Sequence, residues 1–261
     1  MHGKIGVGIV TYKRPEYFKN CYFSIDQNSI DELVVVNDGT PYNLDFRATL
    51  IQHDVNMGVG KSKNDALQHL LDKGCDHLFL IEDDIMVTDA SVFQKYIQTS
   101  KTTGIQHLNY SQHGLMNKHP GTNIPNSRIR IEYTSDVAVD LYPHCVGAFS
   151  YYSKKCLDQV GLLDETFHNA FDHVEHTYRI IQANMHPQFW WFADVADSNK
   201  YLKDVPWSAA TSTISSRPDH SNLMHAALKA FKQKHNTSPA EISQTSIEDV
   251  TKTLRLISRN K

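Results

Sequence analysis

Glu82-Asp83-Asp84 follows directly on Leu78-Phe79-Leu80-Ile81, so three carboxyl groups arrive at the end of an apolar run that reads as a buried strand. Carboxylates in that position need pairing, because an uncompensated buried charge is costly. Mg2+ or Mn2+ supplies a suitable partner: these hard cations take one or two carboxylates from protein and fill the shell with water and substrate phosphates. An acidic turn at a strand end accounts for the tripeptide equally well.

A second segment, Asn56-Met57-Gly58-Val59-Gly60-Lys61-Ser62, ends like a phosphate-binding P-loop. The full pattern demands glycine at position 55, where the chain has Val55, and His53-Asp54 is not an apolar strand end. The glycines then read as a tight turn, with Lys61 near phosphate. In Phe171-Asp172-His173-Val174-Glu175-His176, Asp172 sits at a helix start, where the helix dipole favours a carboxylate and Glu175 has capping-box spacing. His168, His173 and His176 fit no zinc-ligand spacing.

The elements that must hold these groups alternate. Residues 4–11 read as a β-branched strand and 16–27 as a helix started by Pro15. Strands follow at 32–36, 49–53 and 77–81, with a helix at 60–73 whose Ala66, Leu67, Leu70 and Leu71 share one face. Strands joined by helical crossovers run parallel and bind ligands beyond their carboxyl ends. Asp38, in the turn Asn37-Asp38-Gly39-Thr40, and the 82–84 acids therefore share one edge.

Residues 104–135 are polar and lack periodicity, which predicts an irregular excursion. Strands at 146–152 and 189–195 and helices at 154–160 and 173–184 come next. Helices at 222–235 and 247–258 form a C-terminal appendage.

Composition narrows the function further. In 261 residues no run approaches the roughly 18 apolar residues of a membrane span, and a formal charge of −3 gives no general drive toward nucleic acid or anionic membrane. The first ten residues turn polar too quickly for a secretory signal. Four scattered cysteines, without a C-x-x-C pair, indicate reduced thiols. The expectation is a cytoplasmic protein.

Taken in order, the segments from Lys4 to Val195 resemble the family 2 and related inverting glycosyltransferases of the GT-A fold. Ile9-Val10-Thr11-Tyr12-Lys13-Arg14-Pro15 is similar to the family's opening strand and loop, and Val34-Val35-Val36-Asn37-Asp38 to its second strand. Asn56-Met57-Gly58 and Lys63-Asn64-Asp65-Ala66 resemble its N-x-G and R-N-x-A segments. Glu82-Asp83-Asp84 takes the place of D-x-D. Val160-Gly161-Leu162-Leu163-Asp164-Glu165-Thr166-Phe167 is similar to V-G-G-F-D-E-x-F, and Asp172-His173-Val174-Glu175 stands where E-D-V-D is usual.

The resemblance implies an α/β GT-A sheet, Rossmann-like, mostly parallel and flanked by helices. Residues 1–200 would form the catalytic domain, with a nucleotide-sugar half at 1–100 and an acceptor half at 136–200, and 201–261 the helical extension. Thr11, Tyr12, Arg14, Asp38, Asn56, Gly58, Lys61, Asn64 and Asp83 would meet the donor, most commonly a UDP-sugar. Glu82 and Asp84 would hold Mn2+ or Mg2+, with His220 as a further ligand. Gly147, Ala148 and Glu175 would line the sugar and acceptor pocket.

Asp172 would be the base, its pKa tuned upward by enclosure, with His173 second. The acceptor, a glycan first among protein and nucleic acid, is not identified. A sugar nucleotidyltransferase is the main rival, but Thr11 to Pro15 holds no glycine for the phosphate cradle of such enzymes. A noncatalytic nucleotide- or sugar-binding module is the other.

Overall fold

The computed structural model describes residues 3–42, 45–168, 170–205, 212–213 and 215–259. Its centre is a six-stranded sheet in the order β3 (Thr49–Gln52), β2 (Glu32–Asn37), β1 (Ile5–Thr11), β4 (His77–Glu82), β9 (Phe149–Ser153), β6 (His107–Asn109). Strands β3, β2, β1 and β4 are parallel, whereas β9 is antiparallel to both of its neighbours. The mostly parallel α/β sheet expected from the sequence is therefore present.

Side-chain alternation sorts the strands' apolar residues onto two faces. Val7, Ile9, Val35, Phe79 and Ile81 belong to one core. α1 (Pro15–Ser24), α3 (Val92–Thr103) and α7 (Ile247–Arg259) contribute to that core through Phe18, Phe93 and Leu254. Val34, Val36, Leu78 and Leu80 face the other way, toward Leu67 of α2 (Val59–Asp72), Leu157 of α4 (Lys154–Val160) and Ile180 of α5 (Asp172–Gln182). Both sheet faces are covered, which is why the parallel strands read as continuous apolar runs.

The register aligns the carboxyl ends: Thr11 lies opposite Asn37 and Val10 opposite Glu82. One edge thus carries the ends of the three central parallel strands.

The 104–135 excursion is more ordered than its composition implies. It contains β6 and β7 (Ile129–Glu132), and β7 pairs with β8 (Ala138–Tyr142) in a second sheet completed by β10 (Phe192–Val195). Strands of three or four residues are too short to show a period. β5 (Ile85–Val87) and β11 (Leu202–Asp204) form a two-stranded ribbon just past the acidic tripeptide.

Beyond it, α6 (His220–His235) packs Phe231 and Ala227 against Phe167 and Ala170. The α7 side chains Val250, Leu254 and Ile257 are buried beneath α3. Each apolar side chain of that size is worth about 1.5–3 kcal/mol on full burial. The Trp190 and Trp191 indole N–H groups donate to the carbonyls of Ile242 (2.7 Å) and Thr245 (3.2 Å), fixing the approach to α7.

Candidate active site

Because β1 and β4 are adjacent and parallel, the loop after Thr11 meets the 82–84 acids directly. Thr11 Oγ1 donates to Asp83 Oδ2 at 2.6 Å. The Arg14 guanidinium pairs with Asp83 Oδ1 and with Asp84 Oδ2, the latter at 3.1 Å. Burial pushes the Asp83 carboxyl up to about 7, against the pull of Arg14. Burial works against Arg14's charge as well, but Asp83 and Asp84 outweigh it and raise its pKa.

At the end of β2, Asp38 is 3 % exposed and holds the next turn. It accepts from Asn56 Nδ2 at 2.7 Å and from the backbone N–H groups of Met57 and Gly58 at 2.6 and 2.9 Å. Gly58 has φ +94°, and a Cβ there would collide with the His168 ring. Only glycine permits this entry into α2.

Lys63, one turn into α2, is 2 % exposed. Its ammonium lies 2.8 Å from Glu82 Oε1, 3.0 Å from Asp172 Oδ2 and 3.3 Å from the Gly147 carbonyl. Burial alone would discharge this lysine, but Asp172 and Glu82 raise its pKa. Burial alone would likewise raise both acids, and Lys63 instead holds Glu82 below its ordinary value and Asp172 far below it. The enclosed Asp172 is therefore not tuned upward, as the sequence reading expects. It is a firmly ionised carboxylate because the buried ammonium decides the balance.

Phe171, with φ 63°, turns the chain so that α5 opens on Asp172 and His173. His173 Nδ1 lies 3.3 Å from Asp172 Oδ1, and its side chain is 26 % exposed. The ring packs on Gly147, where a Cβ would come within 2.6 Å of His173 Cγ.

An open cleft is lined by Val10, Thr11, Tyr12, Arg14, Asp38, Asn56, Val59, Ser62, Glu82, Asp83, Thr213 and Arg217. Seven side chains expected at a donor or metal, Thr11, Tyr12, Arg14, Asp38, Asn56, Glu82 and Asp83, meet there. Gly58 contributes through its N–H to Asp38. Ala148 accepts from the Glu82 N–H at 2.7 Å, locking the acidic tip to β9.

Four expected residues are placed elsewhere. Lys61 pairs with Asp65, four residues on, and does not reach the cleft. Asn64 exchanges hydrogen bonds of 2.9 Å with the backbone of Leu163, clamping the 160–167 segment to α2. Glu175 is fully buried beneath Arg179 (2.9 Å), Lys234 (3.0 Å) and His235 (3.0 Å), so it joins α5 to α6 and is not among the described residues that line the cleft. His220 heads α6, and among the described residues no three His, Cys, Asp or Glu side chains are gathered to hold a metal.

Two residues near the tip are not expected there from the sequence. Lys63 is one, although it stands where the resemblance has the arginine of R-N-x-A. His113 is the other, reaching in from the 104–135 segment. Its Nδ1 lies 3.1 Å from Asp204 Oδ1, and the Val205 N–H donates to the Asp84 carbonyl at 2.8 Å. Burial would lower the pKa of His113, but its hydrogen bond to Asp204 and the charge of Asp84 raise it.

The tip fits a divalent cation completed by substrate. Glu82, Asp83, Asp84 and Asp172 share two internal cations, Arg14 and Lys63, and Asp84 Oδ1 is buried with no hydrogen-bond partner among the described residues. Excess buried negative charge with a free carboxylate oxygen is the donor set a hard cation takes.

No model of a known protein family matches the chain. In sequence it is 26 % identical over 236 residues to an uncharacterized glycosyltransferase of Acanthamoeba polyphaga mimivirus, spanning 82 % of this chain and 86 % of that protein. In shape it matches the S. aureus TarS fragment in complex with UDP-GlcNAc, with a TM-score of 0.54 and 12 % identity over 97 % of this chain and 71 % of that one. It also matches the catalytic domain of Drosophila beta1,4galactosyltransferase 7 in complex with xylobiose, with a TM-score of 0.52 and 11 % identity over 94 % and 86 % of the two chains. The ordered motifs, the strand order and these likenesses meet at one conclusion: the chain has the GT-A fold of glycosyltransferases.

Proposed function

We propose that the protein transfers a sugar from a nucleotide-diphosphate sugar, a UDP-sugar first among the candidates, to a hydroxyl of a glycan acceptor with inversion, using Mn2+ or Mg2+. The observation that carries this reading is the acidic tip of β4. Glu82, which lines the cleft shared by Thr11 and Asp38, stands two residues from the Asp84 oxygen that has no partner among the described residues. UDP-GlcNAc in the TarS structure supports the choice of donor class.

Thr11, Tyr12, Asp38 and Asn56 bind the nucleoside in this reading, and Arg14 stands beside the phosphates. Glu82 and Asp84 hold the cation, which when bound neutralises the diphosphate as it departs. His173 takes the acceptor proton. In the tautomer that donates from Nδ1 to Asp172, Nε2 carries the free lone pair, and the ionised Asp172 stabilises the imidazolium that forms. The deprotonated hydroxyl then attacks the anomeric carbon opposite the leaving diphosphate, which inverts the centre. Asp172, ion-paired to the buried Lys63 ammonium at 3.0 Å, is left to orient the His173 ring.

A screen of UDP-, GDP- and CMP-sugars with Mn2+ or Mg2+, following nucleoside diphosphate release and thermal stabilisation, tests the proposal. One donor is expected to stabilise the protein in a metal-dependent way. Absence of binding by every nucleotide sugar in both metals rejects it.

A further inference from the structure

Resting on that reading, we propose that Lys63 is a positioning residue that couples the donor side of the site to the acceptor side. The ammonium is enclosed by three oxygens, Glu82 Oε1 at 2.8 Å, Asp172 Oδ2 at 3.0 Å and the Gly147 carbonyl at 3.3 Å. The ammonium donates hydrogen bonds to Asp172 and to the Gly147 carbonyl and forms an ion pair with Glu82. Glu82 belongs to the cleft, Asp172 orients His173, and Gly147 is the surface on which the His173 ring rests. One side chain thus touches the cation-binding tip, the carboxylate behind the base and the seat of the base.

A divalent cation held by Glu82 would compete with Lys63 for the charge of that carboxylate, whose Oε1 lies 2.8 Å from the ammonium. A cation at the tip would weaken the hold of Glu82 on the ammonium and leave Asp172 as its principal carboxylate partner. By linkage, whatever fixes Lys63 on Asp172 must in turn favour cation binding at Glu82. The buried setting makes the link stiff, because at 2 % exposure the ammonium has little access to solvent as a replacement partner.

The first test uses the unaltered protein. Buried, hydrogen-bonded lysine ammonium groups are observable by 1H–15N NMR, and the Lys63 signal, assigned by its loss in K63R, is expected to shift on titration with Mg2+ alone. A Lys63 signal unmoved at Mg2+ saturation overturns the proposal.

The second test uses K63M and K63R, with folding checked by thermal melting. Removing the competitor is expected to tighten Mn2+ binding without nucleotide by ~10-fold while transfer falls by ~100-fold, mainly in kcat. A neutral structural role would weaken both together. Unchanged Mn2+ affinity in folded K63M refutes the link even where transfer is lost. Because the Mg2+ and Mn2+ titrations need no donor sugar, failure of the glycosyltransferase reading leaves them decisive for Lys63 alone.

Discussion

His173 Nδ1 and Asp172 Oδ1 lie 3.3 Å apart on the first turn of α5, with His173 partly exposed and Asp172 enclosed. In the proposed reaction that pairing would divide the work between a proton acceptor and the carboxylate that aims it. H173A is expected to lose transfer by ~10²–10⁴-fold while donor affinity is unchanged. D172N is expected to keep donor binding and lose most of kcat. Steady-state transfer assays with donor titrations check both, and near-normal turnover of H173A would return the role to Asp172.

Asp84 carries one buried oxygen with no partner among the described residues and an Arg14 contact on the other. D84N removes a charge from the tip without removing volume. Mn2+ affinity, read by calorimetry, is expected to fall by ~100-fold or more. Affinity equal to that of the parent would move the cation elsewhere.

Glu175 is a structural anion. E175A removes the anion that Arg179, Lys234 and His235 share, and because Arg179 and Lys234 keep access to water the loss is about 1–3 kcal/mol. Urea unfolding is expected to show that loss, with transfer per folded molecule retained. A selective loss of activity with stability intact would restore Glu175 to the pocket.

Acid stability follows from buried neutral histidines. Burial lowers His176 to about 3 and His186 to about 4, and it lowers His107 well below its ordinary value. Their native proton affinity is depressed, so the unfolded chain binds protons first as pH falls. The stabilisation is complete above about pH 6.5 and is lost between there and about pH 3–4. Both imidazoles are mostly neutral in the folded and unfolded states at pH 7, so these groups act by penalising the folded state on acidification. Melting temperature is expected to fall steadily from pH 7 to pH 4, and H186N to flatten that slope; a flat parent profile would contradict the assignment.

The edge of the sheet is readable in the sequence because apolar runs end in polar turns at Thr11, Asp38 and Glu82, and parallel strands bring such ends together. Helical spacing shows which residues of α2 share a face but not what that face meets. Motif position alone therefore sends Lys61 and Asn64 to the donor and overlooks Lys63, a residue type normally at the surface. Glu175 is misplaced for a related reason: its partners Lys234 and His235 lie about 60 residues downstream. The three-residue β6 and the loop carrying His113 leave no periodic trace at all.

The contact between Gly104 and the Ile257 carbonyl has a consequence for biogenesis. A Cβ at Gly104 would come within 2.5 Å of that oxygen, so the end of α3 is shaped to receive α7. During synthesis the surface of α3 that receives α7 stays uncovered until residues 247–259 have been made. The nascent chain carries the strand ends at Thr11, Asn37 and Glu82 long before α7 can cover α3, and chaperone demand is expected to be greatest in that interval.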